Sequence, residues 1–171
     1  ASALAFATYR ALLADGADLR ARFQENIAGY RSLLNDIAAR LLKRGMAYET
    51  EWYGRMSVRL RPGAFLRGLD GRRLYLRSVH AALNTIIQGA GAVLMKNATV
   101  NARHLLSAAG LEGVLQVCHQ HDEIQFECWP DQAVAVGKIG SEAIERSGDV
   151  FNFRCPLAAD VKVGTNWSET H

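Results

Sequence analysis

Cysteine is scarce and unpaired. Cys118, Cys128 and Cys155 are the only three in 171 residues, an odd number without paired spacing, which argues against a disulfide framework and fits a reducing compartment. The sequence has no run of eighteen apolar residues and no charged-then-apolar leader, so nothing points to a membrane span or a secretory signal, and the expected location is the cytoplasm. It also lacks internal repeats and low-complexity tracts, and with them the signatures of solenoids and extended linkers. An initiator methionine is missing, and Ala1 falls inside a stretch that reads as helix; the expectation is a piece of something longer.

Apolar residues make up 49% of the chain, and this length falls within the usual range of one globular domain with a respectable core. The net charge of +3 is unevenly spread: Arg55, Arg59, Arg61, Arg67, Arg72, Arg73 and Arg77 face a single acid, Asp70, between residues 55 and 77. Such a block is either a solvated basic face or the footprint of a polyanionic partner.

Residues 2–14 and 17–44 are rich in Ala, Leu and Arg and predict helices that stop at Gly16 and Gly45. From Tyr48 to Leu76 short segments, "SVRLRP" and "RRLYLRS", flank an Asp-Gly turn and predict a basic hairpin region. Helical period returns from His80 to Gly110, with an apolar stripe of Leu83, Ile86, Ile87, Ala90 and Leu94. His80, Asn84 and Gln88, at i, i+4 and i+8, line a neighbouring edge of that helix. Gly89 and Gly91 remove bulk beside them, either for a close-approaching ligand or for tight packing. Residues 131–147 predict a further helix, and "FNFRCPLAADVKVGTNW" a final strand and tail. The order helix, hairpin, helix, hairpin, helix, strand is α+β with an antiparallel sheet.

The stretch "VLQVCHQHDEIQFECWP" (114–130) concentrates the reactive side chains. Leu115, Val117 and His119 share one parity, and Ile124, Phe126 and Cys128 share one beyond the polar centre, which predicts two strands joined at an acidic tip. A structural zinc site from Cys118, His119, His121 and Cys128 is too compressed, and residues 118 and 119 point to opposite strand faces. A hydrolytic metal held by His119, His121 and Asp122 lacks a second cluster. Phosphoryl transfer fits best, because an Asp at a hairpin tip beside Glu and His is a hard oxygen ligand for Mg²⁺ projecting into a cleft.

"HDEIQFE" resembles motif C of family A DNA polymerases, and "HAALNTIIQGAGAVLMK" that family's helix with an Asn-x-x-x-Gln-Gly core. "GLDGRRLYLRSVHAALNT" and the ending "FNFRC…VGTNW…H" resemble the phage replicative branch, and the resemblance extends from about residue 20 to 171. It implies fingers-side helices and a basic hairpin over 1–79 and the carboxy-terminal part of the palm over 80–171, with helices packed on an antiparallel palm sheet. By the same resemblance Asp122 binds the catalytic metal, Glu123 is the neighbouring acid, and His121 lies near the primer end. Asn84 and Gln88 contact the primer-template duplex; His80 stands where cellular members usually carry Arg. The arginines between residues 55 and 77, Arg72, Arg73 and Arg77 among them, neutralise phosphates, whereas His119 is a packing or solvated residue and Cys118 and Cys128 are strand residues.

The implied chemistry is template-directed nucleotidyl transfer from dNTP to a primer 3′-OH, with two Mg²⁺ ions only partly liganded here, in a host cytoplasm if phage-encoded. The family's Asp-x-Ser-x-x-Glu-Leu-Arg segment and its Arg-x-x-x-Lys helix with a downstream Tyr-Gly are lacking. The expectation is therefore a part that is inactive until joined by a missing amino-terminal polymerase portion, in the same chain or a separate polypeptide. The alternative is a non-catalytic DNA-binding remnant, and the intact His-Asp-Glu turn favours the former.

Overall fold

The structure is a computed structural model that describes residues 29–52 and 54–170, together with Arg22 and Ile27. The helix expected over 2–14, and most of 17–29, lie outside the described residues. Helices combine with small antiparallel sheets in the order α1 (Tyr30–Lys43), β1 (Ala47–Trp52), β2 (Arg55–Leu60), β3 (Phe65–Arg67), β4 (Arg73–Tyr75), α2 (Ala82–Ala108), β5 (Leu115–Gln120), β6 (Glu123–Glu127), a 3₁₀ turn (Pro130–Gln132), α3 (Ala133–Val150) and α4 (Trp167–Thr170). The strands pair as β1-β2, β3-β4 and β5-β6, three two-stranded ribbons. Among the described residues no helix is long and apolar enough to cross a membrane.

Two compact units emerge, one holding the described residues up to Leu66 with Tyr75–Leu83, the other Arg67–Leu74 with the described part of Asn84–His171. In the first, Ile37 and Leu41 of α1, one turn apart, are buried together with Ala47, Ala64, Leu66 and Ala82. Arg40 and Lys43 in the last turn of α1 complement the negative end of its dipole. Gly45 then ends the helix as anticipated: its φ of 67° lets Gly45 N–H reach Leu42 O and Met46 N–H reach Leu41 O, both at 2.9 Å, a Schellman cap. Gly110, at φ 65°, closes α2 in the same way through Leu106 O and Ser107 O.

In the second unit the core lies on α2 and α3. Val93, Leu94, Met95, Ala98, Ala102 and Leu106 of α2 are buried with Val136 and Ala143 of α3. Of the expected apolar stripe, Leu94 is buried but Ile87 is 59% exposed, at the rim of an apolar recess of about 570 Å³ shared with Leu69 and Phe153. A polar lock joins the helices: the Asn101 amide donates to Ala143 O and Ser147 Oγ, each at 3.3 Å, while fully buried Ser147 donates to Ala143 O. Satisfied in this way, the buried hydroxyl avoids the desolvation penalty of an unpaired polar group.

The expected final strand does not form. After α3 the chain turns at Phe151 and Asn152 and continues to residue 166 without forming a strand, and its side chains dock on α3 where glycines leave room. A Cβ on Gly137 would lie 2.5 Å from Val161 Cγ1, and one on Gly148 3.2 Å from Leu157 Cγ. Extended sequence becomes a strand only beside a free backbone edge; here a helix is the partner. At its end, Glu169 accepts from Thr165 N–H at 2.6 Å. That bond, with those from the Thr165 hydroxyl and the Asn166 amide, holds its carboxyl below the usual range against a smaller opposing desolvation. Gly137→Ala is expected to destabilise the protein by about 1–2 kcal/mol, because overpacking against branched Val161 outweighs the gain in helix propensity. Thermal denaturation followed by circular dichroism checks this, and an unchanged or raised Tm would refute it.

Candidate active site

The stretch that concentrates acid, histidine and cysteine is a hairpin. Register pairs Gln120 with Glu123, His119 with Ile124 and Cys118 with Gln125, leaving His121 and Asp122 as a two-residue loop. Two-residue loops match the right-handed twist of the strands only with a positive φ. His121 supplies it at 51°, and His is among the few non-glycine residues enriched in that region.

Beyond Cys118 the pairing slips, with Gln116 opposite Phe126 and Leu115 opposite Glu127, so Val117 is an extra residue. This β-bulge corrects the simple alternation of Leu115, Val117 and His119. His119 keeps the face of Ile124 and Phe126, whereas Leu115 passes to the face of Gln125 and Glu127 and is 60% exposed. The first face meets the helices. Phe126 lies against Gly140 of α3. His119 Nδ1 is 3.4 Å from Thr99 Oγ1 on α2; Thr99 donates its hydroxyl to Met95 O, so its oxygen is left to accept from the imidazole N–H.

The tip is thereby fixed at its root and open at its end. His121 and Asp122 are exposed, and the Asp122 carboxylate engages no side chain among the described residues. Glu123 is half-buried and accepts a hydrogen bond from the Gln125 amide, which orients it. Both acids border a cleft of about 1450 Å³ whose walls include Phe126, Gly140, Ile144 and Val161. Cys118 and His119 do point to opposite faces, and no group of three or more His, Cys, Asp or Glu able to hold a metal ion occurs among the described residues.

Asn84 and Gln88 lie one turn apart on α2, both exposed. His80 precedes the helix, which starts at Ala82, so the expected line of three polar side chains shortens to two. Ser78 Oγ instead accepts from Ala81 N–H there. Gly89 has a packing role, since its Cβ would fall 2.8 Å from Leu74 Cδ1, whereas nothing lies within 4 Å of a Cβ on Gly91. Arg72 is engaged at the Asp-Gly turn, its Nε 2.6 Å from Asp70 Oδ2. Desolvation is the largest single influence on the Asp70 carboxyl and raises it, but the hydrogen bonds and charge of Arg72 together outweigh it and hold the carboxyl below the usual range. Arg73 and Arg77 are exposed.

Residues 14–169 match the family model of DNA polymerase family A. The chain belongs to that family. Two relatives, the DNA-directed DNA polymerases of Enterobacteria phage T3 and Escherichia phage T7, are each 33% identical to it over 163 residues, 91% of this chain and 22% of theirs. The DNA polymerase I of Aquifex aeolicus is 29% identical over 121 residues, 70% of this chain and 21% of that one. This family A chain thus spans about a fifth of the length of these relatives. Its fold is similar to the POL domain of Pol1 from M. smegmatis, solved in complex with DNA primer-template and dNTP, with a TM-score of 0.59 and 22% identity over 78% of this chain and 22% of that one.

Of two features of this family A hairpin that the sequence reading missed, one escapes alternation and the other follows from it. The bulge at Val117 leaves no composition signal. The support of Glu123 by Gln125 does have one, because residues i and i+2 of a strand share a face.

Proposed function

We propose that this chain is the carboxy-terminal part of a template-directed DNA polymerase, with fingers-side elements over 1–79 and part of the palm over 80–171. The observation that carries the reading is the His121-Asp122-Glu123 tip, with His121 and Asp122 exposed, braced at its root and bordering a cleft, in a chain of family A. In the reaction the primer 3′-oxygen bonds to the α-phosphorus of a dNTP as the bond to the departing pyrophosphate breaks. Adjacent carboxylates suit a hard divalent cation such as Mg²⁺ and supply part of its shell. Asp122 would hold it, with Glu123 beside it; when bound, such ions stabilise charge on the attacking and leaving oxygens.

The remaining roles belong to side chains that bind and orient. His121 is placed to meet the primer end, Asn84 and Gln88 to donate amides to the primer-template duplex, and His80, Arg72, Arg73 and Arg77 to contact its backbone. The 171 residues contain no Asp-x-Ser-x-x-Glu-Leu-Arg segment, the source of the second metal-binding carboxylate in this family, so activity requires the amino-terminal polymerase portion. The site of action is the cytoplasm, that of the host if the protein is phage-encoded. The reading is tested by primer extension with that portion supplied.

Gln88 allows a sharper test. An exposed amide on α2 can donate to minor-groove acceptors that occupy similar places in every correct base pair, which senses geometry without reading sequence. In the complete enzyme Gln88→Ala is expected to slow extension from a matched terminus by about 1–3 kcal/mol of transition-state stabilisation. Extension from a mismatched terminus, whose acceptor is already displaced, should suffer less. Single-turnover rates on both termini measure the ratio, and an unchanged ratio removes Gln88 from the functional residues.

A further inference from the structure

The tip of the β3–β4 ribbon, Arg67–Leu74, belongs to the same compact unit as α2 from Asn84 onward. Leu74 sits in a notch between two glycines: a Cβ on Gly89 of α2 would lie 2.8 Å from Leu74 Cδ1 and 3.3 Å from Cδ2, and one on Gly68 would lie 3.2 Å from Cδ1. Glycine is disfavoured against alanine inside a helix, and the close approach of Leu74 is what the missing side chain of Gly89 permits. The tip that carries Leu74 is stiff. Gly68 N–H donates to Arg72 O at 2.9 Å and Gly71 N–H to Gly68 O at 3.0 Å, and the Arg67 guanidinium donates to Gly71 O at 2.8 Å. Beside this seat the apolar recess opens between Gly68 and Leu69 of the tip and Ile86, Ile87 and Ala90 of α2, so the tip bears on the helix chiefly through one side chain.

Helical period separates what the seat holds from what it presents. At about 100° per residue, Gly89, Ile86, Ala90 and Ile87 follow one another around one side of α2, the side of Leu74 and the recess. Asn84 and Gln88 fall on the opposite side and are exposed. A helix pressed from one side by a stiff tip has its roll set by the closest contact there. Gln88 adjoins Gly89 in the chain, so any change of roll at the seat turns its amide directly.

We propose that Leu74 is a positioning residue for Gln88. Its seat on Gly89 fixes the roll of α2 and with it the reach of the Gln88 amide toward the base pair at a primer terminus, so an apolar side chain behind the helix sets how strictly pairing is judged. This role rests on the proposed contact of Gln88 with the duplex and adds the part that holds the amide on target. A hydrogen bond weakens steeply once its donor is misaligned. Misplacement by about 1 Å is costly even when it begins away from the reacting atoms, and a side chain forced into this notch would displace the helix on that scale.

The test moves one carbon across the seam in the complete enzyme and measures single-turnover extension from matched and mismatched termini. Gly89→Ala drives a Cβ into Leu74 and should lower the matched-to-mismatched rate ratio about fivefold, and Leu74→Val, which withdraws the Cδ atoms, about twofold. Together the two changes conserve volume, and the double variant should regain most of the parental ratio. With Gln88→Ala already present, Gly89→Ala should change the ratio no further, because the seat acts through that amide. A seat that only packs would lower the Tm and slow both termini alike. An unchanged ratio in the folded Gly89→Ala enzyme would overturn the proposal, as would a folded double variant that recovers nothing. If Gly89→Ala does not fold, a parental ratio in Leu74→Val overturns it equally. Should Gln88→Ala itself leave the ratio unchanged, the contact of Gln88 falls and the role of Leu74 with it; a ratio lowered by Gln88→Ala but not by Gly89→Ala removes Leu74 alone.

Discussion

Asp122→Asn, in the chain supplied with its amino-terminal polymerase portion, is expected to lower the rate of primer extension by about three orders of magnitude, about 4 kcal/mol of transition-state stabilisation. The substitution preserves shape and removes charge. Asp122 has no partner among the described residues whose loss would perturb the fold, and the hairpin is braced elsewhere, through Phe126 on Gly140 and His119 on Thr99. The loss should therefore appear in the chemical step, with primer-template affinity little changed. Activity within tenfold of the parent at saturating Mg²⁺ would mean that another carboxylate does the work, and Glu123 would be the first to examine.

The second large effect is expected from the chain alone. Purified residues 1–171 should extend no primer, because Asp122 and Glu123 supply one carboxylate pair where two-metal catalysis draws on acids from two segments. Mixing with a polypeptide that carries the upstream family A segments should restore extension, in proportion to the complex formed. Extension by the chain by itself would sink the proposed division of the site. Failure of the mixture, with both parts folded and associated, would favour the non-catalytic DNA-binding reading.

Much of this architecture was legible because the punctuation is local. Gly45 and Gly110 end helices by supplying a positive φ, and an Asp-Gly pair makes the turn beside Arg72; each acts through its own backbone, so a window of a few residues suffices. The acidic tip was legible for the same reason. What alternation could not show depends on partners distant in the chain. The bulge at Val117 is a property of the pairing between β5 and β6, and the segment expected as a final strand instead docks Leu157 and Val161 on glycines of α3. His80 read as helical by its spacing to Asn84, yet Ser78 accepts from Ala81 N–H and the helix begins only at Ala82. The seat of Leu74 on Gly89 likewise joins two elements that no short window spans.

The extra residue at Val117 sets a phase difference between the two ends of its hairpin. With every residue kept and no bulge, strict alternation would carry Leu115 round to the face of Phe126 and Gln116 to the face of Glu127, a more apolar root by ordinary rules of burial. The bulge does the reverse, leaving Leu115 and Val117 in the open, 60% and 56% exposed, while the tip keeps the orientation set by His119 and Ile124. A register that kept every residue but lost the bulge would make a greasier core and reverse the faces of the root relative to the tip. The aim of the acidic loop and the packing of its base are therefore set by separate stretches of sequence, and either can drift in evolution without dragging the other along.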